Sequence, residues 1–254
     1  MTAEQMDDRT ILALRGSDAI SFLQGLVTND LDRLKDGLVY AALLTPQGKY
    51  IADFFLAQKD KAILLDVKTE FAAALNQRLS MYKLRADVSI EASPLFAQRG
   101  LGPAPQGALA DPRHPALGWR LYSDTPGTAP VTDWEALRVK YVVPESGVEL
   151  TGDSFILELG FERLHGVDFR KGCYVGQEVT ARMKHKTELR KGLARVTVEG
   201  VAEPGAEIES QGKVAGTLGT RSGAKALAYL RFDRAQGAMS ADQAQVRLDE
   251  DQPA

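Results

Sequence analysis

The chain has 254 residues, of which 44% are hydrophobic and 26% charged, so it can bury a substantial core and its composition excludes disorder along its whole length. Its formal net charge of -3 argues against a protein that coats nucleic acid through bulk charge. Its single cysteine, Cys173, excludes a disulfide framework, a zinc site built on several thiolates and an iron–sulfur cluster held by four thiolates of one chain.

The N-terminus and the apolar segments predict the cellular compartment. The N-terminal sequence MTAEQMDDRT is acidic and lacks the apolar core of a secretory signal peptide. No stretch of about 18 consecutive apolar residues is present, so no helix is expected to cross a membrane. A single free thiol fits a reducing compartment. We therefore expect a cytoplasmic protein that does not contact a membrane.

The first ninety residues show strand and helix patterns in turn. Apolar residues at three- and four-residue intervals predict helices, and short apolar runs bounded by Pro and Gly predict strands. Ser17 or Asp18 is placed to cap the first helix. In chain order we predict a strand over Ile11–Leu14, a helix over Ala19–Val27, strands over Leu38–Leu44, Tyr50–Ala57 and Ala62–Val67, a helix over Thr69–Leu79 and a strand over Arg85–Ile90. The elements from Tyr50 onward make a ββαβ-like unit.

Residues 100–116 mark the clearest break in composition, because four prolines and three glycines fall among seventeen positions, and we expect a loop or linker there. Residues 132–135 have the pattern of a capping box, so a helix is predicted from there to Val142, and a second helix over Gly176–Lys184. Short strands among glycines predict a small β-barrel, at Leu193–Val198, Lys213–Gly219 and Ala226–Leu230. The acidic tail, Ala241–Ala254, is expected to be loose.

The segment most indicative of chemistry is RKGCYVGQE, residues 170–178. Gly172 and Gly176 bracket a tight turn that leads into a helix, and glycine lets a flat ligand approach the backbone closely. The first amides of a helix are unpaired and carry partial positive charge. Cys173 lies just before that helix and two residues from Lys171, and both features favour a thiolate. The alternative is that Cys173 is a small buried apolar residue.

Charge is concentrated around this segment. From Glu162 to Lys191, eight Lys or Arg residues against four acids give a net charge of +4, which leaves -7 for the rest of the chain. Such a basic island could bind carboxylates or phosphates, or could be an ordinary solvated face.

The string KGCYVGQE resembles the signature of the YgfZ family, bacterial relatives of the folate-binding T-protein of the glycine cleavage system. A mitochondrial iron–sulfur assembly factor is similar to the same family. Further pieces occur in matching order at Phe22–Gly25, Thr28–Asp30, Leu44–Lys49 and Ala52–Phe55. The resemblance extends from about residue 11 to residue 198.

This resemblance implies an α+β fold, a three-domain T-protein-like ring with a C-terminal small β-barrel. Residues 1–45 and 117–189 would form a discontinuous folate-binding domain. Residues 46–116 would be an inserted ferredoxin-like α+β domain, and residues 190–254 would form the barrel.

The family also implies a function. It indicates an accessory protein that binds tetrahydrofolate, or a one-carbon derivative, in the maturation or repair of iron–sulfur proteins, one of which modifies tRNA. Its expected partners are folate and iron–sulfur client or assembly proteins, with no membrane and no nucleic acid. The main alternative is a folate-dependent aminomethyltransferase or demethylase like the T-protein, and a third is a nucleic-acid binder that uses the basic island.

Residue roles follow from the matching positions. Cys173 is expected to be the reactive or ligand-contacting thiol, with Lys171 as its electrostatic partner. Tyr174 either stacks on a pterin or packs in the core, and Glu178 either bonds the ligand or caps its own helix. The residues expected to bind the coenzyme are Asp53, Glu158, Gly172, Tyr174, Gly176, Gln177, Glu178 and Arg182.

Glu158 and Asp53 can be compared with acidic residues of the T-protein. Glu158 resembles the T-protein glutamate that holds the pterin, since a carboxylate can accept two parallel N–H bonds from an amino-pyrimidinone edge. Asp53 falls where the T-protein has two adjacent acids, but its neighbour here is Ala52, which weakens the case for aminomethyl transfer. The three histidines are scattered, and no metal site is predicted.

Overall fold

The chain folds into two compact units. The computed structural model describes residues 3–186 and 189–253, and for Lys186 only the backbone. The N-terminal unit contains the described residues up to Thr132 together with Leu164–Glu178. The C-terminal unit contains Asp133–Arg163 and the described residues from Val179 onward. Within these ranges no helix is long and apolar enough to span a bilayer.

The N-terminal unit is built on two antiparallel sheets. Its strands are β1 (Glu4–Gln5), β2 (Arg9–Arg15), β3 (Val39–Leu44), β4 (Tyr50–Lys59), β5 (Ala62–Lys68), β6 (Ser89–Ala92), β7 (Phe96–Gly100), β8 (Leu109–Ala110) and β9 (Trp119–Ser123). Its helices are α1 (Ala19–Gln24) and α2 (Thr69–Lys83), with short 3-10 helices at Leu31–Lys35 and Pro115–Leu117.

The larger sheet has the strand order β3-β4-β5-β2-β6. β3 and β4 form the predicted hairpin, whose turn is closed by a 2.8 Å hydrogen bond from the Thr45 amide to the Lys49 carbonyl. The two helices contribute Leu23, Leu75 and Leu79 to a core in which each of these leucines is fully buried. Burial of one such side chain contributes about 2 kcal/mol.

The smaller sheet has the order β1-β7-β9-β8 and accounts for the Pro- and Gly-rich segment. Residues 100–116 connect β7 to β9 and contain β8, so this segment is a connection within one sheet. Gly100 pairs with Trp119 across the strands, and a Cβ at Gly100 would lie 2.3 Å from the indole ring. The glycine therefore makes room for a fully buried tryptophan.

The C-terminal unit contains the predicted small β-barrel. Its strands are β10 (Lys191–Glu199), β11 (Glu207–Ser210), β12 (Lys213–Ser222), β13 (Lys225–Arg231), β14 (Met239–Ala241) and β15 (Ala244–Leu248), in the closed order β10-β13-β12-β11-β14-β15. Closure leaves no unpaired sheet edge. Two helices complete the description, α3 (Trp134–Lys140) and α4 (Gln177–Lys186), the second of which begins in the N-terminal unit.

The prediction of a loose C-terminal tail is wrong. β14 and β15 complete the barrel, and Ala244 and Val246 point into its core while Gln245 and Arg247 are exposed. The alternating pattern of β15 is a strand signal that the acidic residues after it obscured.

Local predictions also needed correction. β6 begins at Ser89 instead of Arg85. α1 ends at Gln24, and the Asp18 side chain accepts a hydrogen bond from the Asp87 amide at 2.9 Å instead of capping α1. α3 ends at Lys140 and is capped by Asp133, whose carboxylate accepts from the Ala136 amide at 2.8 Å, so the capping box is not formed.

The two compact units do not coincide with the three expected domains. The boundary expected at residue 45 falls in the turn between β3 and β4, which pair along their length. The boundary expected at residue 116 falls inside the N-terminal unit. Ladder hydrogen bonds join the strands on both sides of residue 45, so these residues form one folded unit. The three-domain division stays a prediction.

Candidate functional site

The KGCYVGQE segment lies in the N-terminal unit, where its residues up to Gly176 form a loop and its last two residues begin α4. Gly176 adopts φ +86°, and a Cβ on it would lie 2.6 Å from the Thr45 carbonyl oxygen and 3.0 Å from the Leu44 Cβ. The glycine is therefore required by the close approach of the β3–β4 turn. The Leu44–Lys49 piece and the KGCYVGQE piece are therefore in direct contact at Gly176.

Lys171 holds the loop to the segment that follows α1. Its Nζ donates to the carbonyl oxygens of Gln24, Val27 and Asn29, at 2.8, 2.5 and 2.9 Å. These bonds use all three ammonium hydrogens. Burial lowers the pKa of Lys171 to about 8, while the carboxylates of Asp30 and Asp168 oppose this shift and favour the charged form. Lys171 therefore acts as a clamp on the loop, and its expected role as the electrostatic partner of the Cys173 thiol stays a prediction.

Thr28 and Asn29 add further bonds to the same loop. The Thr28 hydroxyl donates to the Gly166 carbonyl at 2.7 Å. The Asn29 amide donates at 2.7 Å to the carbonyl of His165, a residue with φ +54°. The Thr-Asn-Asp piece of the sequence therefore binds backbone carbonyls of the loop, and no ligand is needed to explain it.

Asp168 fixes the loop from within. Its carboxylate accepts from the Arg170 amide at 2.7 Å and from the Arg33 guanidinium at 2.6 Å. Burial alone would raise the pKa of Asp168, but these hydrogen bonds lower it below its usual value. The carboxylate is therefore ionised at neutral pH and completes the clamp.

Two other signature residues stabilise the turn. Tyr174 is only 9% exposed and its ring centroid lies 5.2 Å from the Lys171 Nζ, which favours packing over stacking on a ligand. Its amide donates to the Gln177 side-chain carbonyl at 3.1 Å. Both residues thus have structural roles in the loop.

Cys173 stands on this clamped loop with its side chain exposed. It has no hydrogen bond or ion pair within residues 3–186 and 189–253. Gly172 is also exposed, and a Cβ there would meet nothing within 4 Å. The thiol is consequently free to react or to bind a metal ion held by another molecule, which excludes the reading of Cys173 as a buried apolar residue.

Asp53, on β4, lies in a buried polar cluster. Its two carboxylate oxygens accept from the Tyr40 and Tyr50 hydroxyls, at 2.9 and 2.7 Å. Burial, and the neighbouring Asp53 carboxylate, raise the pKa of Tyr40 well above its usual value. Asp53 was a predicted site residue, whereas neither tyrosine was.

The same region contains a buried ionic network that was not predicted from the sequence. Asp66 is bound by Arg9 at 2.6 Å and by Arg120 at 3.0 Å. The Arg120 guanidinium lies 3.7 Å from the centroid of the Phe55 ring, and that of Arg113 lies 4.7 Å from it. Burial would raise the pKa of Asp66, but the two guanidinium groups lower it below its usual value. Charged residues within apolar strand patterns, such as Asp66 in AILLDVK, are the signal that could have revealed it.

Glu158 and Arg182 belong to the C-terminal unit. Glu158 is half-buried and its Oε2 accepts a 2.6 Å hydrogen bond from the Tyr229 hydroxyl. Burial and this bond raise the pKa of Tyr229 above its usual value. Arg182 and Glu178 are exposed on α4, and Glu178 lies in its first turn, where a carboxylate complements the helix dipole.

The basic side chains of the island between Arg163 and Lys191 have different environments in the structure. Lys171 is turned into the loop, and Lys184 is paired with Glu162. Arg163 donates to the carbonyls of Tyr141 and Val142. Arg170, Arg182, Arg190 and Lys191 are exposed, whereas the side chain of Lys186 and all of Glu188 lie outside the described residues. Among the described cations, Lys184 is thus paired with an acid, Lys171 and Arg163 bind backbone carbonyls, and the other four are exposed to solvent.

Known proteins similar to this chain agree with its fold. The family model of the CAF17 C-terminal beta-barrel domain matches residues 190–252. A solved structure of the glycine cleavage system aminomethyltransferase T from Bartonella henselae has a TM-score of 0.76 to this chain and covers 99% of it and 87% of itself, at 12% identity. This likeness confirms the predicted T-protein-like α+β fold with its C-terminal barrel. Among the described residues, no cluster of His, Cys, Asp or Glu could hold a metal ion.

Relatives at higher identity are iron–sulfur cluster assembly factors. The mitochondrial factor IBA57 of Mus musculus is 31% identical over 93% of this chain and 79% of its own length. The human protein of the same name is 29% identical over 96% of this chain and 82% of its own length. A homologue from Neurospora crassa is 30% identical, and the match spans about half of it, 52%.

These relatives also overturn one expectation. All three are mitochondrial by name, so the prediction of a cytoplasmic protein is wrong. Membership of the related YgfZ family stays a prediction. The identity and coverage of the mouse protein decide the classification: this chain belongs to the IBA57 family of iron–sulfur cluster assembly factors.

Proposed function

We propose that this protein acts in the assembly or repair of iron–sulfur clusters and contributes Cys173 as its contact to iron or to a client protein. The observation that carries the proposal is the exposed thiol of the only cysteine, held on a loop whose backbone is fixed on two sides. A thiolate is the usual protein ligand of iron in such clusters.

The number of thiols limits the mechanism. A cluster of the common type needs four protein ligands, and this chain has a single cysteine. Cys173 would therefore supply one ligand, and a second protein would supply the others. A rigid loop suits this task because the thiol is presented without an ordering cost at the moment of contact.

We further propose that the protein binds a tetrahydrofolate coenzyme, with Glu158 on the pterin edge. The donor set fits this use, since Tyr229 bonds Glu158 Oε2 and no described residue donates to Oε1. A bound tetrahydrofolate would supply one-carbon or redox chemistry, and Tyr229 would orient the carboxylate that binds it. Effects on tRNA modification are expected only through client enzymes.

Aminomethyl transfer is the less favoured alternative. Asp53 is 6% exposed and both of its oxygens already accept hydroxyl hydrogen bonds. The neighbouring position that would carry a second acid is Ala52, which is buried. A carboxylate engaged in this way is poorly placed to exchange a proton with a bound substrate.

A deletion strain provides the test of the overall function. The activities of several iron–sulfur enzymes should fall in the strain, most strongly under oxidative stress, and should return when the full chain is expressed. Enzymes without clusters serve as controls. Normal activities of all cluster enzymes in the stressed deletion strain would contradict the proposal.

A further inference from the structure

An apolar cavity of about 210 Å³ lies in the C-terminal unit, beside β10 and the last described residues. Its apolar walls come from Val142, Leu193, Ala194, Phe232, Leu248 and Pro253. Arg163 and Gln252 are its only polar lining residues among those described. The Gln252 side chain is held by two hydrogen bonds to the backbone of Arg195. Its Oε1 accepts from the Arg195 backbone N–H at 2.9 Å, and its Nε2 donates to the Arg195 carbonyl at 2.8 Å, so this part of the cavity wall is fixed.

Arg163 places a half-buried positive charge in this apolar wall. Two of its N–H groups donate to the carbonyls of Tyr141 and Val142, at 3.1 and 2.6 Å. A guanidinium has five N–H donors, so three remain without a partner among the described residues. No acid in the described ranges pairs with Arg163, and burial lowers the pKa of its guanidinium. A partly desolvated cation without a counter-charge is unfavourable, and an anion beside it would offset this cost.

The end of α3 fixes the wall beside Arg163. Val142 follows the helix at φ +51°, the left-handed conformation common just after a helix C-terminus. The amides of Val142 and Val143 donate to the carbonyls of Val139 and Arg138, at 3.3 and 2.9 Å, which closes the last turn of the helix. The Val142 carbonyl in turn accepts from Arg163, so the guanidinium is held in place by this helix end.

We propose that this cavity binds a small monocarboxylate with an apolar body of about the size of one ring. Arg163 would pair with the carboxylate, for which a planar guanidinium is well suited. The apolar walls would cover the body of the ligand. An apolar protein cavity of about 150 Å³ is known to hold benzene, so this cavity leaves room for a ring and its carboxylate. A phosphate ester would leave its additional oxygens against hydrocarbon.

Benzoate is the probe for the test, with benzamide as its neutral counterpart. Amide resonances of the full chain, labelled with nitrogen-15, are followed by NMR during titration. We expect saturable shifts at Leu193 and Phe232 with benzoate, and an affinity for benzamide weaker by about tenfold. The absence of saturable shifts, or equal affinities for the two probes, would overturn the proposal.

Two variants separate a charge effect from a folding effect. Arg163→Met should weaken benzoate binding by about tenfold, but it also removes the bonds to Tyr141 and Val142. Phe232→Glu leaves those bonds in place and adds a negative charge at a position that is 36% exposed, so it should weaken benzoate binding to a similar degree. Phe232→Leu is the matched control and should bind benzoate nearly as the unchanged chain does.

Unchanged benzoate affinity in both charge variants would contradict the role of Arg163. Excess tetrahydrofolate should leave benzoate binding unaffected. Displacement of benzoate by tetrahydrofolate would show that the cavity is part of a folate site and would contradict a separate carboxylate site. The result of the benzoate titration does not depend on the proposed role of Cys173, because that role is tested separately by enzyme activities in cells.

Discussion

The Nζ of Lys171 donates a 2.5 Å hydrogen bond to the carbonyl oxygen of Val27, a residue 144 positions earlier in the chain. With the bonds to Gln24 and Asn29, this contact fixes the loop of Cys173 to the segment after α1. The clamp makes the signature lysine a structural requirement of the loop, and it leaves the exposed thiol as the group available for chemistry.

Replacement of this lysine should release the loop. Lys171→Met removes three hydrogen bonds and leaves carbonyls unpaired, so we expect a loss of about 2 kcal/mol in the free energy of unfolding. Urea denaturation measures the loss, and limited proteolysis should show new cleavage between residues 164 and 176. Lys61→Met, at an exposed position, is the control and should change neither. Equal stability of the two variants would argue against the clamp.

Alanine substitutions at the two glycines of the signature should have very different effects on the stability of the protein. Gly176→Ala introduces a Cβ 2.6 Å from the Thr45 carbonyl oxygen at a positive φ, and should cost about 2 kcal/mol of stability. Gly172→Ala meets open space and should change stability by less than about 0.5 kcal/mol. Thermal unfolding of the pair checks this difference. A similar melting temperature for both variants would mean that the loop does not pack against the β3–β4 turn as described.

The buried network on Phe55 should make the fold sensitive to acid. The pKa of Asp66 is lowered in the folded protein, so its ionised form stabilises the fold above the unfolded pKa of about 3.9, and this contribution is lost as the pH falls through the folded value.

Asp66→Asn leaves Arg9 and Arg120 without their shared partner and should cost about 3 kcal/mol at pH 7. The difference between this variant and the unchanged chain should shrink below pH 4. Asp124→Asn, an exposed change, is the control. Denaturant titrations from pH 3 to 7 measure the difference in the free energy of unfolding between the variant and the unchanged chain. A difference that increased in acid would contradict the stabilising role of ionised Asp66.

Folate binding depends on the Glu158 and Tyr229 pair in this account. Glu158→Gln should weaken tetrahydrofolate binding by about tenfold, and Tyr229→Phe by a smaller factor, because each removes part of a charge-assisted hydrogen-bond arrangement. Calorimetry gives the affinities. Glu162→Gln, four residues further on and exposed, should bind as the unchanged chain does. If the unchanged chain does not bind tetrahydrofolate measurably, the proposal of folate binding is wrong. That result would not bear on the proposed role of the Cys173 thiol.

Short-range signals in the sequence predicted much of the fold. The short strands among glycines, observed as β10, β12 and β13, and the turn at Pro46-Gln47-Gly48 require only neighbouring residues to be recognised. The clamp could not be predicted in this way, because its partners lie more than 140 positions apart. Lys171 is only two residues from Cys173 in sequence, which suggested a partnership, whereas its hydrogen bonds go to carbonyls distant in sequence. The ionic network could not be predicted from neighbouring residues either, because Asp66 and Arg120 are 54 positions apart.

The Pro- and Gly-rich segment was harder to interpret than the elements on either side of it. A Pro- and Gly-rich composition indicates a loop, but it does not indicate whether the strands on either side share a sheet. Here β7 and β9 pair across residues 100–116, so the composition break lies within one sheet. The positions of Tyr40 and Tyr50 beside Asp53 likewise depend on the register of the β3–β4 hairpin.

The most direct test of the central claim is the activity of iron–sulfur enzymes in a deletion strain that expresses the Cys173→Ser variant. We predict activities as low as in the empty strain, together with a melting temperature of the purified variant close to that of the unchanged chain. Met81→Ala, which removes another exposed sulfur from the same unit, should restore full activity. Full activity with Cys173→Ser would contradict the account.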